Sequence, residues 1–361
     1  MSQKMSFTNK CSGSARVFSA LLAVLFACGA IMLCVSACRN ESFEAFVTGP
    51  FDTVTKIILF AGDQSEFDEH RLFIEQELWR YHQLFDIYND YPGVTNIKTI
   101  NDRAGSAVAC SEDILDLIEF GIECEEKSGG RVNIAMGSVL KLWHDARTLS
   151  TAEPSRAFVP DRQALEEAAR HTSIDDVRID RLKGTVTLTD PLMLLDVGAI
   201  AKGYAVERIA ESLMKRGIRA GALDAGGNVR VIGHNVVKNS PWRIGIHNPL
   251  DNAEGPFIEI VDVVNRSVVT SGNDQRYFIF QGMRYSHIID PATNQPAEYH
   301  DAVSVIAEDS GVADFLSTTL MLMTEAEGRE LLADFPDCEV LWVQGTTVTM
   351  TEGFKEYVAG R

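Results

Sequence analysis

Hydrophobic and polar positions follow two kinds of pattern along the first half of the chain. Residues 53–60 are rich in β-branched and apolar residues, which predicts a strand. Over 66–88 the apolar side chains recur at roughly helical spacing, and the polar stretch 89–93 supplies a stop, so a long amphipathic helix is expected. A second helix is predicted after Ser111, and it ends at 128–130, where a serine precedes two glycines.

The middle of the chain has shorter elements. Residues 150–163 are polar and contain two prolines, so they separate the first half from a segment of strands and turns. A helix is predicted over 162–171, followed by strands at 176–181 and 185–189. An apolar strand at 193–195 comes next.

A glycine-containing turn at 196–203 follows that strand and leads into a predicted helix over 204–216, which Gly217 closes. The remaining pattern predicts strands within 221–306, a helix over 312–323 and a strand at 339–350. No internal repeat is visible. The sequence therefore predicts an α+β fold with mixed or antiparallel sheets and packed helices, as one catalytic unit or as two packed lobes.

The first 40 residues differ from the rest of the chain. Basic residues come first, an apolar stretch covers 17–35, and no acidic residue occurs before Glu41. This order is typical of a secretory signal. Residues 35–38 read Val-Ser-Ala-Cys, which resembles the bacterial lipobox, in which Cys38 would become the lipidated first residue of the mature protein. The alternative is an uncleaved transmembrane anchor, since about 18 apolar residues can just span a bilayer.

Both interpretations of the leader predict the same location. We expect a signal peptide over 1–37, a lipidated cysteine and linker over 38–48, and the catalytic domain over 49–361. The domain would lie on the extracytoplasmic face of a bacterial membrane, because processing changes the anchor and not the side.

Composition and charge exclude some partners. The chain has 361 residues, of which 45% are hydrophobic and 23% charged, as in ordinary globular proteins. Lys and Arg total 33 against 51 Asp and Glu, which gives a net charge of −18. Nucleic acid is therefore not expected as a partner. A nucleotide could still bind where a metal ion and backbone N–H groups neutralise its phosphates.

Two glycine-containing turns could contact phosphate. The turn 198–203 has glycines at both ends and Lys202 before the second one, so it is not a Walker A motif. At a helix N-terminus it could meet a pyrophosphate through N–H groups and one cation, or it could be only a structural turn. The Gly-Gly-Asn sequence at 226–228 is explained equally well by a need for positive φ.

Two further segments carry candidate catalytic groups. His287 follows a predicted strand and is either a general base or a hydrogen-bonded core histidine. Asp314 and Thr318 are spaced i, i+4 and so lie on one face of the last helix. A carboxylate and a hydroxyl on one face suit Mg²⁺, which prefers oxygen ligands, although an acidic helix cap is the alternative for Asp314.

Taken together and in this order, these segments resemble the ApbE family of FAD:protein FMN transferases. The matching stretches are an early segment at 130–143, the turn at 196–203, the Gly-Gly-Asn sequence at 226–228, the run 270–296, and Ala313, Asp314 and Thr318. The resemblance covers almost the whole chain after the leader, and it implies a T-fold-type arrangement of the α+β fold.

The resemblance also implies residue roles. The residues expected to hold FAD are Phe51, Tyr88, Arg131, Val132, Asn133, Asp196, Lys202, His287 and Ile288. The groups expected to hold Mg²⁺ are the Ala199 carbonyl and the side chains of Asp314, Ser317 and Thr318. The residues expected to act in catalysis are His287, Asp314 and Lys202.

Four positions depart from the family pattern: Asn133, where Asp is usual, Ala199 for Gly, Asn273 for Asp, and Asn294 for Gly. None of them removes a proposed metal-binding side chain. Ala199 would act through its carbonyl, so the loss of a glycine matters only if φ must be positive there. Asn133 removes a carboxylate that would have bound a ribityl or ribose hydroxyl.

The activity implied by the resemblance is Mg²⁺-dependent transfer of FMN from FAD to a Ser or Thr hydroxyl of an acceptor protein, with release of AMP. The acceptor would be an electron-transfer protein or a subunit of a redox-driven membrane complex. Two alternatives remain at this point. Water could replace the acceptor, which would make the protein a FAD pyrophosphatase, or the protein could be a lipoprotein that stores or delivers flavin without chemistry.

Overall fold

A computed structural model describes residues 41–250 and 255–360 of the chain. The predicted signal peptide over 1–37 and Cys38 lie outside the described residues. Among the described residues, no helix combines the length and the apolar character needed to cross a bilayer.

An eight-stranded sheet forms the centre of the molecule, and each pair of neighbouring strands is antiparallel. The strands of this sheet are β1 (Glu41–Thr48), β2 (Val54–Ala61), β6 (Gly221–Ala225), β7 (Asn228–Ile232), β10 (Ser267–Gly272), β15 (Ala302–Ala307), β16 (Glu339–Gln344) and β17 (Thr347–Met350), in this spatial order. Strands from both ends of the described chain thus meet in one sheet.

Smaller sheets surround the central one. Their strands are β3 (Val108–Ala109), β4 (Val177–Asp180), β5 (Thr185–Leu188), β8 (Trp242–His247), β9 (Phe257–Val263), β11 (Tyr277–Phe280), β12 (Met283–Ser286), β13 (Ile289–Asp290) and β14 (Gln295–Pro296). Strands β3, β5 and β4 form one sheet, and the others form the hairpins β8–β9, β11–β12 and β13–β14.

The helices begin mostly at residues that can cap them. They are α1 (Gln64–Phe85), α2 (Ile97–Asp102), α3 (Glu112–Lys127), α4 (Gly137–Ala152), α5 (Arg162–Ala168), α6 (Ala201–Lys215), α7 (Ser310–Met321) and α8 (Glu325–Leu331). Asp63 and Asp309 accept hydrogen bonds from backbone N–H groups in the first turns of α1 and α7. These bonds satisfy donors that a helix start would otherwise leave unpaired.

Apolar side chains cover both faces of the central sheet. One face packs against α1, α3, α6 and α7, and this core runs from Val47 to Trp342. The opposite face packs against the β8–β9 hairpin and the C-terminal segment, with Trp242, Val261 and Phe354 at its centre. The long core on the helical face joins the two halves of the chain into one unit.

The predicted α+β fold with antiparallel sheets is confirmed. Residues 41–48, which were predicted to lie in a linker, instead form β1 and pair with β2 along their whole length. Phe43, Ala45 and Val47 are at least partly buried, whereas Glu44 and Phe46 between them are exposed, so one face of this strand packs against the core.

The prediction of a strand at 193–195 is wrong. Leu194 makes only an isolated bridge to Met136, and the following helix α6 begins at Ala201, three residues before the predicted start. The Gly137 N–H donates to the Leu194 carbonyl at 2.9 Å. A single bridge of this kind pairs backbone N–H and C=O groups of the extended segment without making the segment part of a sheet.

Candidate functional site

Helices α6 and α7 meet at Gly203. A Cβ atom at this position would lie 2.3 Å from the Ser310 carbonyl oxygen and 2.4 Å from the Asp314 Cβ, so only glycine allows the approach. The Gly203 N–H donates to the Asp314 Oδ2 at 2.7 Å. The glycine turn and the last helix therefore meet through Gly203 and Asp314, which are 111 residues apart in sequence.

Lys202 joins this contact to the Gly-Gly-Asn turn. Its Nζ donates to the Gly226 carbonyl at 3.3 Å. Gly226 and Gly227 have φ of 57° and 93° and connect β6 to β7 in a two-residue turn. Burial lowers the pKa of Lys202, and the charge of Asp314 opposes this effect. Asp314, together with Asp224, thus partly neutralises this ammonium.

Three hydroxyl groups lie beside Asp314. The Ser271 Oγ is 2.8 Å from the Ser317 Oγ and 3.4 Å from the Thr318 Oγ1, and the Ser317 hydroxyl donates to the Asp314 carbonyl at 3.0 Å. Burial raises the pKa of the Asp314 carboxyl, while Lys202 and the Gly203 N–H oppose that shift. The site therefore gathers oxygen atoms around one desolvated carboxylate.

This donor set fits Mg²⁺ better than a metal that needs several histidines or thiolates. Among residues 41–250 and 255–360, no group of three or more His, Cys, Asp and Glu side chains could hold a metal. Mg²⁺ commonly takes one or two carboxylates and completes its shell with water, other oxygens and substrate phosphate. In the same region both polar atoms of the Asn228 amide are buried without a partner that meets hydrogen-bond geometry. A bound polar group would satisfy them.

His287 lies between Arg276 and the rest of the site. Its backbone N–H donates to the Arg276 carbonyl at 3.0 Å, and its Nδ1 is 3.1 Å from the same oxygen. A carbonyl only accepts, so Nδ1 carries the proton and Nε2 keeps its lone pair. Burial, then Arg276 and Arg147, lower the pKa of His287 to about 3, which keeps the imidazole neutral at neutral pH.

A cluster that the sequence did not predict lies beside Tyr88. The ring of His144 stacks on Tyr88, with centroids 4.3 Å apart. The Tyr88 hydroxyl is 3.0 Å from the His144 Nδ1, and the Arg147 Nη2 is 3.3 Å from the same nitrogen. Asp196 lies close enough that His144 and Arg147 influence its pKa, which burial raises. Helix α4, which carries His144 and Arg147, was not predicted, so no sequence signal assigned these residues to the site.

Phe51 connects the N-terminal segment to this region. It has a left-handed φ of 55°, and its N–H donates to the His82 Nδ1 at 3.2 Å. Its carbonyl accepts from the Arg276 Nη2 at 3.4 Å. The backbone of Phe51 thus contacts the side chain of Arg276.

The segment 131–133 is committed to contacts inside the protein. Arg131 donates to the Leu322 carbonyl at 3.0 Å, and Val132 is buried. The Asn133 amide donates to the Thr172 carbonyl at 2.9 Å and accepts from the Ala135 N–H at 2.8 Å. A carboxylate could not donate the first of these bonds, so the departure from the family pattern at Asn133 has a structural role here.

The remaining predicted positions lie close to these groups. Ile288 is buried directly after His287, and its N–H donates to the Ser286 Oγ at 3.2 Å. The Asp196 N–H donates to the Ile134 carbonyl at 2.8 Å, which places the turn beside the segment 131–133. Ala199 is not among the residues with positive φ, so alanine is accommodated there without strain.

Comparison with known proteins assigns the family. The model of the ApbE family matches residues 51–342. A FAD:protein FMN transferase of Treponema pallidum is 34% identical over 261 residues, which are 68% of this chain and 70% of the relative. One from Klebsiella pneumoniae is 30% identical over 307 residues, 84% of this chain and 89% of the relative. The crystal structure of the ApbE protein from Thermotoga maritima superposes with a TM-score of 0.78 at 29% identity, covering 88% of this chain and 99% of the other. The chain therefore belongs to the ApbE family.

Proposed function

We propose that this protein is a FAD:protein FMN transferase. The observation that carries the proposal is the convergence of Lys202, Asp314 and the hydroxyls of Ser317 and Thr318 around the Gly203–Asp314 contact of 2.7 Å. A cation, a carboxylate and hydroxyl oxygens at a helix N-terminus can hold a pyrophosphate together with a divalent metal. The activity of the relatives supports the same proposal.

Nine residues are proposed to contact FAD. They are Phe51, Tyr88, Arg131, Val132, Asn133, Asp196, Lys202, His287 and Ile288. The turn N–H groups and Lys202 would bind the AMP side of the pyrophosphate. The side chains of Arg131 and Asn133 are engaged in contacts within the protein. We therefore propose that the segment 131–133 contacts FAD through its backbone atoms.

A Mg²⁺ ion is proposed to bind between Asp314, Thr318, Ser317 and the Ala199 carbonyl. When bound, the ion would neutralise charge that develops on the phosphate oxygens. Asp314 is the one carboxylate in this set, so it would supply the charge that fixes the ion in a protein of net charge −18.

The transfer step is a substitution at phosphorus. The hydroxyl oxygen of an acceptor Ser or Thr forms a bond to the FMN phosphorus, and the bond from that phosphorus to the AMP oxygen breaks, so AMP leaves with the electron pair. The hydroxyl proton passes to the His287 Nε2, which the Arg276 carbonyl leaves free by fixing the proton on Nδ1. The products are a flavinylated protein and AMP.

The acceptor is proposed to be an electron-transfer protein or a subunit of a redox-driven membrane complex on the extracytoplasmic side. The leader sequence supports that location. Replacing Cys38 by serine should abolish lipidation, because serine cannot form the thioether. Incorporation of a labelled fatty acid and membrane fractionation would measure this. A Cys38→Ser protein that remains in the membrane as tightly as the parent would show that the leader is a transmembrane anchor.

The activity can be tested with the full-length protein in detergent, FAD, Mg²⁺ and extracytoplasmic proteins of the source cell. The proposal predicts a fluorescent band that survives denaturing electrophoresis and AMP release that depends on the acceptor proteins. AMP release at the same rate without them would identify a FAD pyrophosphatase instead. Tight FAD binding with neither product would identify a flavin-storing lipoprotein.

A further inference from the structure

A buried carboxylate on α6 holds the first turn of α7. Glu207 is only 4% exposed, and its Oε2 accepts a hydrogen bond from the Ser310 backbone N–H at 2.7 Å. Ser310 is the first residue of α7, and the N–H groups in the first turn of a helix have no partner within their own helix. Glu207 therefore caps α7 from a different helix, 103 residues earlier in the chain.

This contact lies one helical turn from the proposed metal carboxylate. Glu207 follows Gly203 by four residues on α6, so the two positions lie on one face of that helix. Asp314 likewise follows Ser310 by four residues on α7. The Gly203 N–H donates to the Asp314 Oδ2 at 2.7 Å. The bond from Ser310 to Glu207 is thus the next contact along the same interface, and a shift of α7 at Ser310 would also move Asp314.

Arg230 joins the same carboxylate to the central sheet. Its Nε donates to the Glu207 Oε2 at 2.9 Å, and its Nη2 donates to the Oε1 at 3.2 Å. Arg230 is buried on β7 two residues after Asn228, so both side chains lie on one face of the strand. Glu207 therefore connects α6, α7 and β7, which are the elements that carry Lys202, Asp314 and Asn228.

The cost of burying this carboxylate argues for a specific use. Burial raises the pKa of Glu207, and Arg230 and the Ser310 N–H oppose the shift. A buried ion pair often stabilises a fold no more than apolar side chains of the same volume, because both charges lose their hydration. Apolar side chains cannot, however, accept a hydrogen bond from the Ser310 N–H and so fix the start of α7.

We propose that Glu207 is a positioning residue for the reaction. Through its hydrogen bond to the Ser310 N–H it fixes α7, and with it the Asp314 carboxylate, relative to the turn that carries Lys202. The proposal rests on the FMN transferase function and the Mg²⁺ site proposed above. Glu207 contacts neither FAD nor the metal in this assignment and acts only through α7.

Two double variants separate this hydrogen bond from the ion pair. Glu207→Gln/Arg230→Met keeps an oxygen that can accept from the Ser310 N–H, whereas Glu207→Met/Arg230→Met has a side chain of similar volume without an acceptor. Both variants lack the ion pair, and neither leaves an unpaired buried guanidinium. The glutamine variant is therefore the matched control for the methionine variant.

Hydrogen exchange resolved to single residues measures the contact between α6 and α7 in full-length protein without metal or flavin. The Gly203 N–H should exchange about tenfold faster in the methionine variant than in the glutamine variant, because its bond to Asp314 opens more often. The Asp262 N–H donates to the Tyr357 carbonyl at 2.7 Å on the opposite face of the sheet and should exchange equally in both. Equal exchange at Gly203 in the two variants, whether parental or raised, would overturn the proposal.

Mg²⁺ binding connects the position of α7 to the reaction. Calorimetric titration of Mg²⁺ alone into the full-length protein in detergent should show about tenfold weaker binding by the methionine variant than by the glutamine variant, as is typical when a residue that orients a metal ligand is lost. The Mg²⁺ concentration for half-maximal FMN transfer should rise by the same factor, while kcat at saturating Mg²⁺ should be equal in both.

The outcomes of the titration distinguish this proposal from the proposed function. Equal Mg²⁺ affinity in the two variants would overturn the positioning role even if exchange at Gly203 differs. A parent protein that binds no Mg²⁺ would contradict the metal site and with it the role assigned to Glu207. The transferase fails separately: if the variants differ as expected but the parent transfers no FMN to any acceptor, the effect of Glu207 on the metal site still stands.

Discussion

The two faces of the central sheet are packed in different ways. The face under the β8–β9 hairpin is filled by apolar side chains, and the hydroxyls of the partly buried Thr270 and the buried Ser304 are hydrogen-bonded to each other at 2.8 Å. The helical face carries a large apolar core as well, but it also buries Asp314, the ion pair of Arg230 and Glu207, and the amide of Asn228, which lowers the pKa of Asp314.

The difference between the two faces indicates which side chains stabilise the fold and which serve the candidate site. A buried carboxylate or amide without full compensation costs free energy of folding, so its retention indicates another use. The polar groups of the helical face converge where α6 and α7 meet. The hairpin face has no such cluster among the described residues, and we expect it to contribute packing alone. We therefore expect substitutions in the polar cluster of the helical face to lower activity more than stability. Substitutions on the hairpin face should lower stability more than activity.

The largest effect on activity is expected for Asp314→Ala. Removing the proposed metal carboxylate should lower kcat/KM by about 10⁴-fold, since a bound metal contributes several kcal/mol to transition-state stabilisation. Stability should change little, because the unpaired Gly203 N–H is offset by relief of a desolvated carboxylate. FMN transfer across a Mg²⁺ titration and thermal melting would measure both.

Asp314→Asn refines this test. It keeps an oxygen for the Gly203 N–H but loses the charge, so we expect a little activity at high Mg²⁺. Asp116→Ala is the control, because Asp116 pairs with Arg181 on the surface at 2.7 Å. Normal transfer by a folded Asp314→Ala protein at low Mg²⁺ would show that Asp314 does not bind the metal. It would also contradict the assignment of the polar groups on the helical face to the reaction.

The sequence predicted the parts of this site that form motifs. Lys202, Asp314 and Thr318 stand in recognisable local patterns, and the fold joins their segments through the contact of Gly203 with Asp314, 111 residues further along the chain. His144 and Arg147 do not. Neither lies at a glycine turn or a helix cap, and a single charged side chain looks the same in sequence whether it is solvated or directed into a site. Only the tertiary structure shows that His144 contacts both Tyr88 and Arg147.

The errors in the predicted fold have a similar cause. Residues 41–48 were predicted to be a linker because they follow directly after the leader, which has a very different composition. They form a strand because they pair with β2 along their whole length. Residues 193–195 have strand composition, yet they find one bridging partner, Met136, instead of a neighbouring strand. Local propensity predicts a tendency to extend, and the available partner decides whether a sheet forms.

The largest effect on stability is expected for Phe354→Ala on the hairpin face. Phe354 is fully buried, and truncating such a side chain typically costs about 3–5 kcal/mol. The urea midpoint should fall while kcat/KM per folded molecule stays at the parental value. Val348→Ala is the matched control, because Val348 is 37% exposed. A large loss of kcat/KM in fully folded Phe354→Ala protein would show that the two faces are coupled.

Gly203→Ala should affect activity and stability together, because Gly203 belongs to the packing and to the site. The added Cβ would clash with the Ser310 carbonyl oxygen, a backbone atom that cannot move alone, and overpacking of this kind costs about 1–3 kcal/mol. The separation of α6 from α7 would also lengthen the bond to Asp314. Melting and FMN transfer would measure the two losses. Gly62→Ala, whose added Cβ would meet only the flexible end of Glu66 at 3.1 Å, should leave both unchanged. A stable but inactive Gly203→Ala protein would show that the contact serves the site alone.

The smallest effects are expected at Ala199 and Asn294, two positions where the family pattern has glycine. Asn294 has a left-handed φ of 57°, a conformation that asparagine tolerates and glycine adopts freely, whereas Ala199 is not in that region. Ala199→Gly should therefore lower stability by about 0.5–1 kcal/mol through the entropy of the unfolded chain, and Asn294→Gly should leave it nearly unchanged. Urea midpoints at constant m-value would resolve the difference. FMN transfer should be parental in both, because the Ala199 carbonyl is retained. If Ala199→Gly instead raised transfer at a given Mg²⁺ concentration, residue 199 would have to change its backbone conformation to bind the ion. The activity would then depend partly on backbone flexibility at this turn and not only on the positions of the site residues described above.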